Sequence, residues 1–326
     1  MATTISTSRK DTISRARTLH VLELSHPDLD FQPVTPEVMP LLWRYLIHED
    51  GRTCDFSYGG LLIWTPLFNY EYAIYRDTLF IKGRLEGDMS KTAFSLPLGK
   101  LTVQESYEVL RRWCKTHQQT LRFSAIPQYV LEEYKALNPA SVTEQHNWAD
   151  YLYEIVPLAT LSGKKMAKKR NHVNKFESTY PNHKFRILTP ELIPDALAVL
   201  NQASSEAVDD TEMAQAEREL CKNTLSQMEK YRLPMTGGVL YADERPVAFT
   251  IGDVKHDTLY VHIEKAVRDV PGVYEAVNKY FAQTMLAHFP SLKYVNREDD
   301  AGSPGLRFAK ESYHPVELLQ KYDIVF

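Results

Sequence analysis

Apolar residues recur along this chain at two spacings, three to four residues apart and every second residue, and the switches between them mark out its elements. Met39, Leu42, Trp43 and Leu46 fall on one helical face, with Thr35 placed to cap that helix and Pro36 at its first position. Residues 70–83 (YEYAIYRDTLFIKG) read as two strands joined at Arg76-Asp77. Thr102-Val-Gln-Glu105 is a capping box that opens a helix with Val103, Tyr107, Leu110 and Cys114 on one face. Residues 121–126 follow as a strand and 128–137 as a short helix. Asn138-Pro139-Ala-Ser-Val is the most turn-rich break in the middle of the chain, which places a domain boundary between 138 and 155.

Beyond it, residues 236–242, 247–253 and 259–266 are three alternating runs, separated by Asp243-Glu-Arg-Pro246 and Lys255-His-Asp-Thr258 as in an antiparallel meander. Arg268-Asp-Val-Pro-Gly272 then leads into a helix with Val273, Val277, Tyr280 and Phe281 as its apolar positions. A strand at 292–295, a short helix at 305–313 and a closing segment, 315–326, complete the order. Gly51, Gly59-Gly60 and Gly237-Gly238 read as turns or strand starts. The sequence also echoes itself: Asp77-Thr-Leu-Phe-Ile81 matches Asp257-Thr-Leu-Tyr-Val261, and Tyr107-Glu-Val-Leu110 matches Tyr274-Glu-Ala-Val277 on a later helix. Two matches in the same order favour a duplicated fold.

Composition changes this picture in one place. The 326 residues carry a formal charge of −4, yet residues 162–180 (SGKKMAKKRNHVNKFESTY) hold six Lys/Arg within twelve. On a helix Met166, Val173, Phe176 and Tyr180 form the apolar stripe, and Lys164, Lys168 and Lys175 project opposite it, with Lys165, Lys169, Arg170 and His172 alongside. Such a field suits a phosphate-bearing partner; the alternative is a solvated charged face. Elsewhere composition mainly excludes. Cys54, Cys114 and Cys221 share no metal-ligand spacing and read as reduced, buried thiols of a cytoplasmic protein. No apolar run approaches the ~20 residues that span a bilayer. Residues 1–25 are polar and basic without a signal peptide's apolar core, and read as a loose arm. There is no GxSxG elbow, no P-loop, no GxGxxG after a strand and no HExxH; His262-x-Glu264 lacks the PCxxC of a zinc deaminase.

KKMAKKRNHVNKF, together with the late block NREDDAGSPGLRFAKESYHPVELLQKY, resembles the DUF2156 proteins, which are similar to the C-terminal domain of phosphatidylglycerol lysyltransferases. The resemblance runs from about residue 30 to the end. It implies an α+β fold of tandem GNAT-like acyltransferase domains, each a mostly antiparallel mixed sheet flanked by helices, related to tRNA-dependent aminoacyl transferases. The expected division is an arm at 1–25, a first domain at 26–148 and a second at 149–326 that holds the active site.

Candidate chemistry gathers in the second half. Strict alternation puts Tyr260, His262 and Glu264 on one face, where a Tyr, a His and a carboxylate can position an amine and take its proton, or form a solvent-facing row. Arg268 and Gly272 open a helix directly after a strand, a place that holds anions; a plain tight turn is the alternative. Ordinary GNAT enzymes carry there an R/Q-x-x-G-x-G/A signature for acyl-CoA, and this chain has one glycine at a different spacing. Asn296, Arg297, Glu298 and Asp299 follow the last core strand, with Arg297 suited to a carboxylate or phosphate and Glu298 or Asp299 to a cationic amine. The resemblance points to Tyr313 as the acid. Three functions are open: an aminoacyl-tRNA-dependent transferase, a small-molecule N-acetyltransferase using acetyl-CoA, and a non-catalytic RNA- or phospholipid-binding module. The first expects no tightly bound cofactor, aminoacyl-tRNA or acyl-CoA as donor co-substrate, tRNA docking on the basic helix, an acceptor that is a lipid headgroup or small molecule, and peripheral contact with anionic lipid.

Overall fold

A computed structural model describes residues 29–85, 87–205 and 212–326. The expected arm at 1–25 lies outside the described residues. The first part of the chain runs through β1 (Gln32–Pro33), α1 (Met39–Leu46), α2 (Tyr58–Phe68), β2 (Glu71–Tyr75), β3 (Thr78–Leu85), β4 (Asp88–Phe94), β5 (Leu98–Gly99), α3 (Val103–Thr116), β6 (Arg122–Pro127), α4 (Leu131–Lys135) and β7 (Ser141–Glu144). The second part continues with β8 (Asp150–Glu154), α5 (Ile155–Thr160), α6 (Ala167–Thr179), β9 (Lys184–Ile187), α7 (Ile193–Ser205) and α8 (Glu212–Tyr231). It ends with the meander β10 (Thr236–Ala242), β11 (Arg245–Lys255) and β12 (Thr258–Ala266), then α9 (Val273–His288), β13 (Tyr294–Asn296), α10 (Pro304–Glu311), β14 (Glu317–Leu319) and β15 (Lys321–Val325).

These strands form two sheets with a common plan. One has the order β1-β2-β3-β4-β6-β15-β7, with β5 beside β3, and the other β14-β8-β13-β12-β11-β10-β9. Each contains an antiparallel meander, then a helix, then a strand parallel to the meander's last member: β4 with β6 in the first sheet and β12 with β13 in the second. All other pairs are antiparallel. This is a tandem GNAT-like α+β fold, and the repeated parallel pair carries the duplication. One of the two sequence echoes is out of phase with it. Asp77-Thr-Leu-Phe-Ile81 opens β3, the middle strand of its meander, whereas Asp257-Thr-Leu-Tyr-Val261 opens β12, the third. The helical echo, on α3 and α9, joins equivalent elements.

The sheets also trade strands. β7 lies in the first and β8 in the second; β14 lies in the second and β15 in the first. The last strand therefore leaves the 149–326 unit and completes the first sheet between β6 and β7.

Local signals explain most element starts. Thr102 Oγ1 accepts from Glu105 N at 3.2 Å and Glu105 Oε2 accepts from Thr102 N at 2.9 Å, so the capping box forms as written. The first helix differs from expectation. Its N-cap is Val38, and Thr35 serves the turn before it, its carbonyl accepting from Val38 N and its side chain bonding to Glu37. Gly59-Gly60 are not a turn but the first turn of α2, capped by Ser57 Oγ, which accepts from Gly60 N at 2.9 Å. That helix is apolar nearly all round because both cores cover it. Leu61 and Leu62 join the core of the first sheet and Ile63 that of the second.

Candidate active site

β12 and β13 run parallel for only three pairs, Thr258↔Tyr294 to Tyr260↔Asn296, and then part. β12 continues to Ala266 while the chain after Asn296 turns away, held by Asn296 Oδ1, which accepts from Glu298 N at 2.7 Å. Glu298 sits at φ +56°, a left-handed conformation that costs a non-glycine residue on the order of 1 kcal/mol. Lys310 Nζ braces the same turn by donating to the carbonyls of Arg297 and Asp299. The split between the strands collects most of the predicted site residues.

It does not collect them on one face. The register of β12 against β11 slips: Ile251 pairs with Ile263, but Gly252 pairs with Val261, so His262 is the extra residue of a bulge. Beyond a bulge the alternation is reset. Tyr260 and His262 face the first half of the molecule, their rings near parallel at 6.4 Å, whereas Glu264 turns to the α9 side, where its Oε2 accepts from Asn278 Nδ2 at 3.4 Å. The expectation of one shared face for Tyr260, His262 and Glu264 is corrected by this single residue.

On the first face His262 is clamped. Its Nδ1 lies 2.6 Å from Glu298 Oε1 and its Nε2 2.9 Å from Asp253 Oδ2. Asp253 Oδ2 also accepts from Gly59 N at 2.5 Å, at the start of α2, and Ser57 Oγ is 3.5 Å from the ring. A Cβ on Gly59 would come within 2.4 Å of the imidazole, so only glycine lets the helix approach. Burial alone pushes the imidazole's pKa down; the two carboxylates outweigh it and raise it to about 10. His262 is therefore an imidazolium at neutral pH, with both nitrogens donating. A ring held on both sides in this way favours a charged, positioning role over the base expected from the sequence.

On the other face Arg297 Nη2 donates to Glu264 Oε1 at 3.0 Å. The guanidinium stands 5.0 Å from the ring centre of Tyr313, whose other neighbours are Lys169 Nζ at 4.1 Å and Tyr153 at 6.4 Å. Tyr313 is buried, and burial pushes its hydroxyl well above the ordinary phenol range, against the pull of Arg297. Lys169 belongs to this cluster and not to a solvent rail: it pairs with Glu275 at 3.4 Å, and burial lowers its pKa. Arg170 is also engaged, donating to the carbonyls of Leu161 and Gly163 at 2.6 and 3.1 Å. Lys164, Lys165, Lys168 and Lys175 are exposed, the first two in the turn before α6. Gly272, at φ +79°, packs against α6 so closely that a Cβ would lie 2.3 Å from the carbonyl of His172. Arg268 is exposed in the turn before it.

A third group lies between the sheets. Lys321 Nζ sits 2.8 Å from both Asp150 Oδ1 and Asp55 Oδ2, and 3.5 Å from Cys54 Sγ. Asn296 Nδ2 and Cys54 N both donate to Asp150 Oδ2, at 2.8 and 2.6 Å. Cys54, Asp55 and Asp150 are close enough together to ligate a metal ion, but their space encloses the Lys321 ammonium. Asn296 thus supports the joint. Asp299 is pushed up to about 7 by burial, opposed by Lys321 and reinforced by Asp150. Sequence reading passed over Asp253, Ser57, Gly59, Asp150, Asn278, Lys310 and Lys321. Asp253 had a signal, since it faces Tyr260 across the hairpin; Asp150 and Lys321 lie too far apart in sequence for any local pattern.

The family described as phosphatidylglycerol lysyltransferase, C-terminal, matches residues 49–325. A conserved protein of unknown function from Bacteroides thetaiotaomicron is 30% identical in its crystal structure, covers 91% of this chain and 99% of its own, and superposes with a TM-score of 0.84. The L-PGS of Bacillus licheniformis is 14% identical over 90% of this chain and 92% of its own, with a TM-score of 0.62, which shows a shared fold. An uncharacterised protein of Mycoplasmoides gallisepticum is 24% identical over 173 residues, 53% of this chain, and the match spans about half of that protein's length, 54%. No described helix is long and apolar enough to cross a membrane.

Proposed function

The chain belongs to the phosphatidylglycerol lysyltransferase C-terminal family, a family of transferases, and from that premise we propose that it moves an activated aminoacyl group from aminoacyl-tRNA to an amine or hydroxyl acceptor. The observation that carries this reading is the buried guanidinium of Arg297, held against Glu264 and Tyr313 where β12 and β13 part. Its Nη1 makes no hydrogen bond among the described residues, a donor available for an ester carbonyl and for the oxyanion that forms on it.

The acceptor attacks the ester carbon, and the bond from that carbon to the tRNA ribose oxygen breaks. The acceptor's proton is assigned to Asp299, two residues beyond Arg297 in the turn that Lys310 braces, whose carboxyl is pushed up to about 7. The ribose oxygen takes its proton from Tyr313, which stays protonated because it is buried. The ester is already activated, so most of the work is positioning. Exposed Lys164, Lys165, Lys168 and Lys175 supply the docking charge for the tRNA backbone. The acceptor of this reading is a lipid headgroup or a small molecule.

The test is protein-dependent discharge of pooled labelled aminoacyl-tRNA in the presence of lipid extract and an amine pool. Tyr313→Phe keeps the ring between Lys169 and Arg297 and should slow transfer by roughly 10²-fold. The wild-type rate should rise with pH through about 7, and Asp299→Asn should flatten that rise. Discharge no faster than without protein would end the proposal.

A further inference from the structure

Two polar atoms beside Glu264 have no partner among the described residues: Nη1 of Arg297 and Oδ1 of Asn278. Asn278 sits on α9 and is buried, with 4% of its surface exposed. A buried amide oxygen without a donor costs on the order of 1–3 kcal/mol, so such an atom is normally matched by something. Both residues use their other arm on the same carboxylate. Arg297 Nη2 donates to Glu264 Oε1 at 3.0 Å, and Asn278 Nδ2 to Oε2 at 3.4 Å. The two unsatisfied atoms therefore flank Glu264, one a donor and one an acceptor. A carboxylate has about four acceptor positions, and these contacts fill two. The Glu264 and Arg297 side chains keep 12% and 13% of their area exposed while the two unpartnered atoms themselves are covered, so a ligand meets those atoms as these side chains shift.

We infer that this triad reads the free α-ammonium of the acyl group being transferred, with Asn278 Oδ1 and Glu264 accepting from the ammonium while Arg297 Nη1 donates to the neighbouring carbonyl. The inference rests on the transferase reading above and adds its specificity determinant. An α-aminoacyl ester carries a hydrogen-bond donor and an acceptor three bonds apart, and that is the pair the site leaves unmatched. A plain acetyl group offers only the carbonyl, and an N-acetylated aminoacyl group replaces three ammonium protons with one amide proton and adds bulk. The site therefore selects aminoacyl donors and rejects both others.

Two arms test this. In the first, non-hydrolysable 3′-deoxy-3′-aminoacylamino adenosines carrying a set of different amino acids, and their N-acetyl counterparts, are titrated into the intact protein by calorimetry. The free-amine form of at least one is expected to bind, its N-acetyl form at least ~10-fold more weakly, a difference of about 1.4 kcal/mol. Asn278→Leu should abolish that difference and Asn278→Asp should keep it, with thermal melting of each variant checked against wild type. In the second arm, transfer from aminoacyl-tRNA is compared with transfer from the same tRNA after chemical N-acetylation. Equal use of both donors overturns the inference and leaves the transferase reading standing. Use of neither ends the transferase reading, and the calorimetry still decides the site: equal binding of both probe forms, or binding of none, overturns it.

Discussion

His262 shows how far a residue's chemistry depends on neighbours that its own strand does not reveal. With Asp253 on one nitrogen and Glu298 on the other, its pKa rises to about 10, against about 6.5 for a free imidazole. A folded-state pKa above the unfolded value means that the clamp stabilises fully below about 6.5 and that this stabilisation is lost as the pH rises through about 10. Nitrogen-15 spectra should therefore show both ring nitrogens protonated at pH 7.5, and a titration near 6.5 would contradict the clamp. His262→Gln should cost about 3–5 kcal/mol in urea unfolding at pH 7, because it leaves two buried carboxylates without their cation. The position of His262 near the active strand was legible from Tyr260, His262 and Glu264. Its role was not, because Asp253 and Glu298 come from other segments.

At the scale of elements, the strands of the second half were legible because alternation and turn residues coincide there: β10, β11 and β12 lie where Asp243-Glu-Arg-Pro246 and Lys255-His-Asp-Thr258 divide them. The bulge at His262 was not legible. A bulge adds one residue to one strand of a pair, so it exists only in the partner's register and leaves no mark on its own strand's pattern. α2 was misread for a related reason. Its Gly59-Gly60 and internal Pro66 look like breakers until the His262 ring, the Asp253 carboxylate and two cores pack against its first two turns, with Pro66 left on the exposed side. Gly272, by contrast, was found by sequence, but what it does here is let α9 approach α6. Gly272→Ala adds a Cβ 2.3 Å from a backbone carbonyl at φ +79°, and should lower the melting temperature by at least ~2 °C, the shift that ~1 kcal/mol produces in a domain of a couple of hundred residues. Melting unchanged from wild type would mean the helices are not packed this closely. Only four lysines of the basic stretch stay exposed, and replacing Lys164, Lys165, Lys168 and Lys175 with Gln should reduce the salt slope of tRNA binding by roughly 3, from about 0.7–0.9 per phosphate contact. An unaltered slope would make this face a solvated one.

Across the whole molecule the decisive feature is the exchange of strands. Asp150 begins β8 and Lys321 begins β15, and these are the strands that start just after the chain has crossed from one sheet to the other. Their side chains meet at 2.8 Å, with Asp55 equally close to the ammonium, and Lys321 and Asp150 are 2% and 0% exposed. One charge cluster thus ties both crossings to the segment that precedes α2. The sheets cannot come apart without either withdrawing β15 from the first or uncovering these charges. Unfolding should then be a single transition although the fold is tandem. Trp113 lies in the core of the first sheet with Trp43 packed against it, and Trp64 packs against the core of the second, so tryptophan fluorescence reports side-chain packing in both while far-UV circular dichroism reports the backbone. Urea curves from the two probes should coincide, and two separated midpoints would refute the coupling. Lys321→Met should move both curves together to lower urea, by about 3–5 kcal/mol, since it leaves Asp150 and Asp55 buried without a counter-charge. A shift confined to fluorescence would mean that the cluster holds side-chain packing around the tryptophans and not the pairing of the sheets. The sequence could not announce this arrangement, because its two ends are 171 positions apart in numbering and each reads locally as an ordinary strand start.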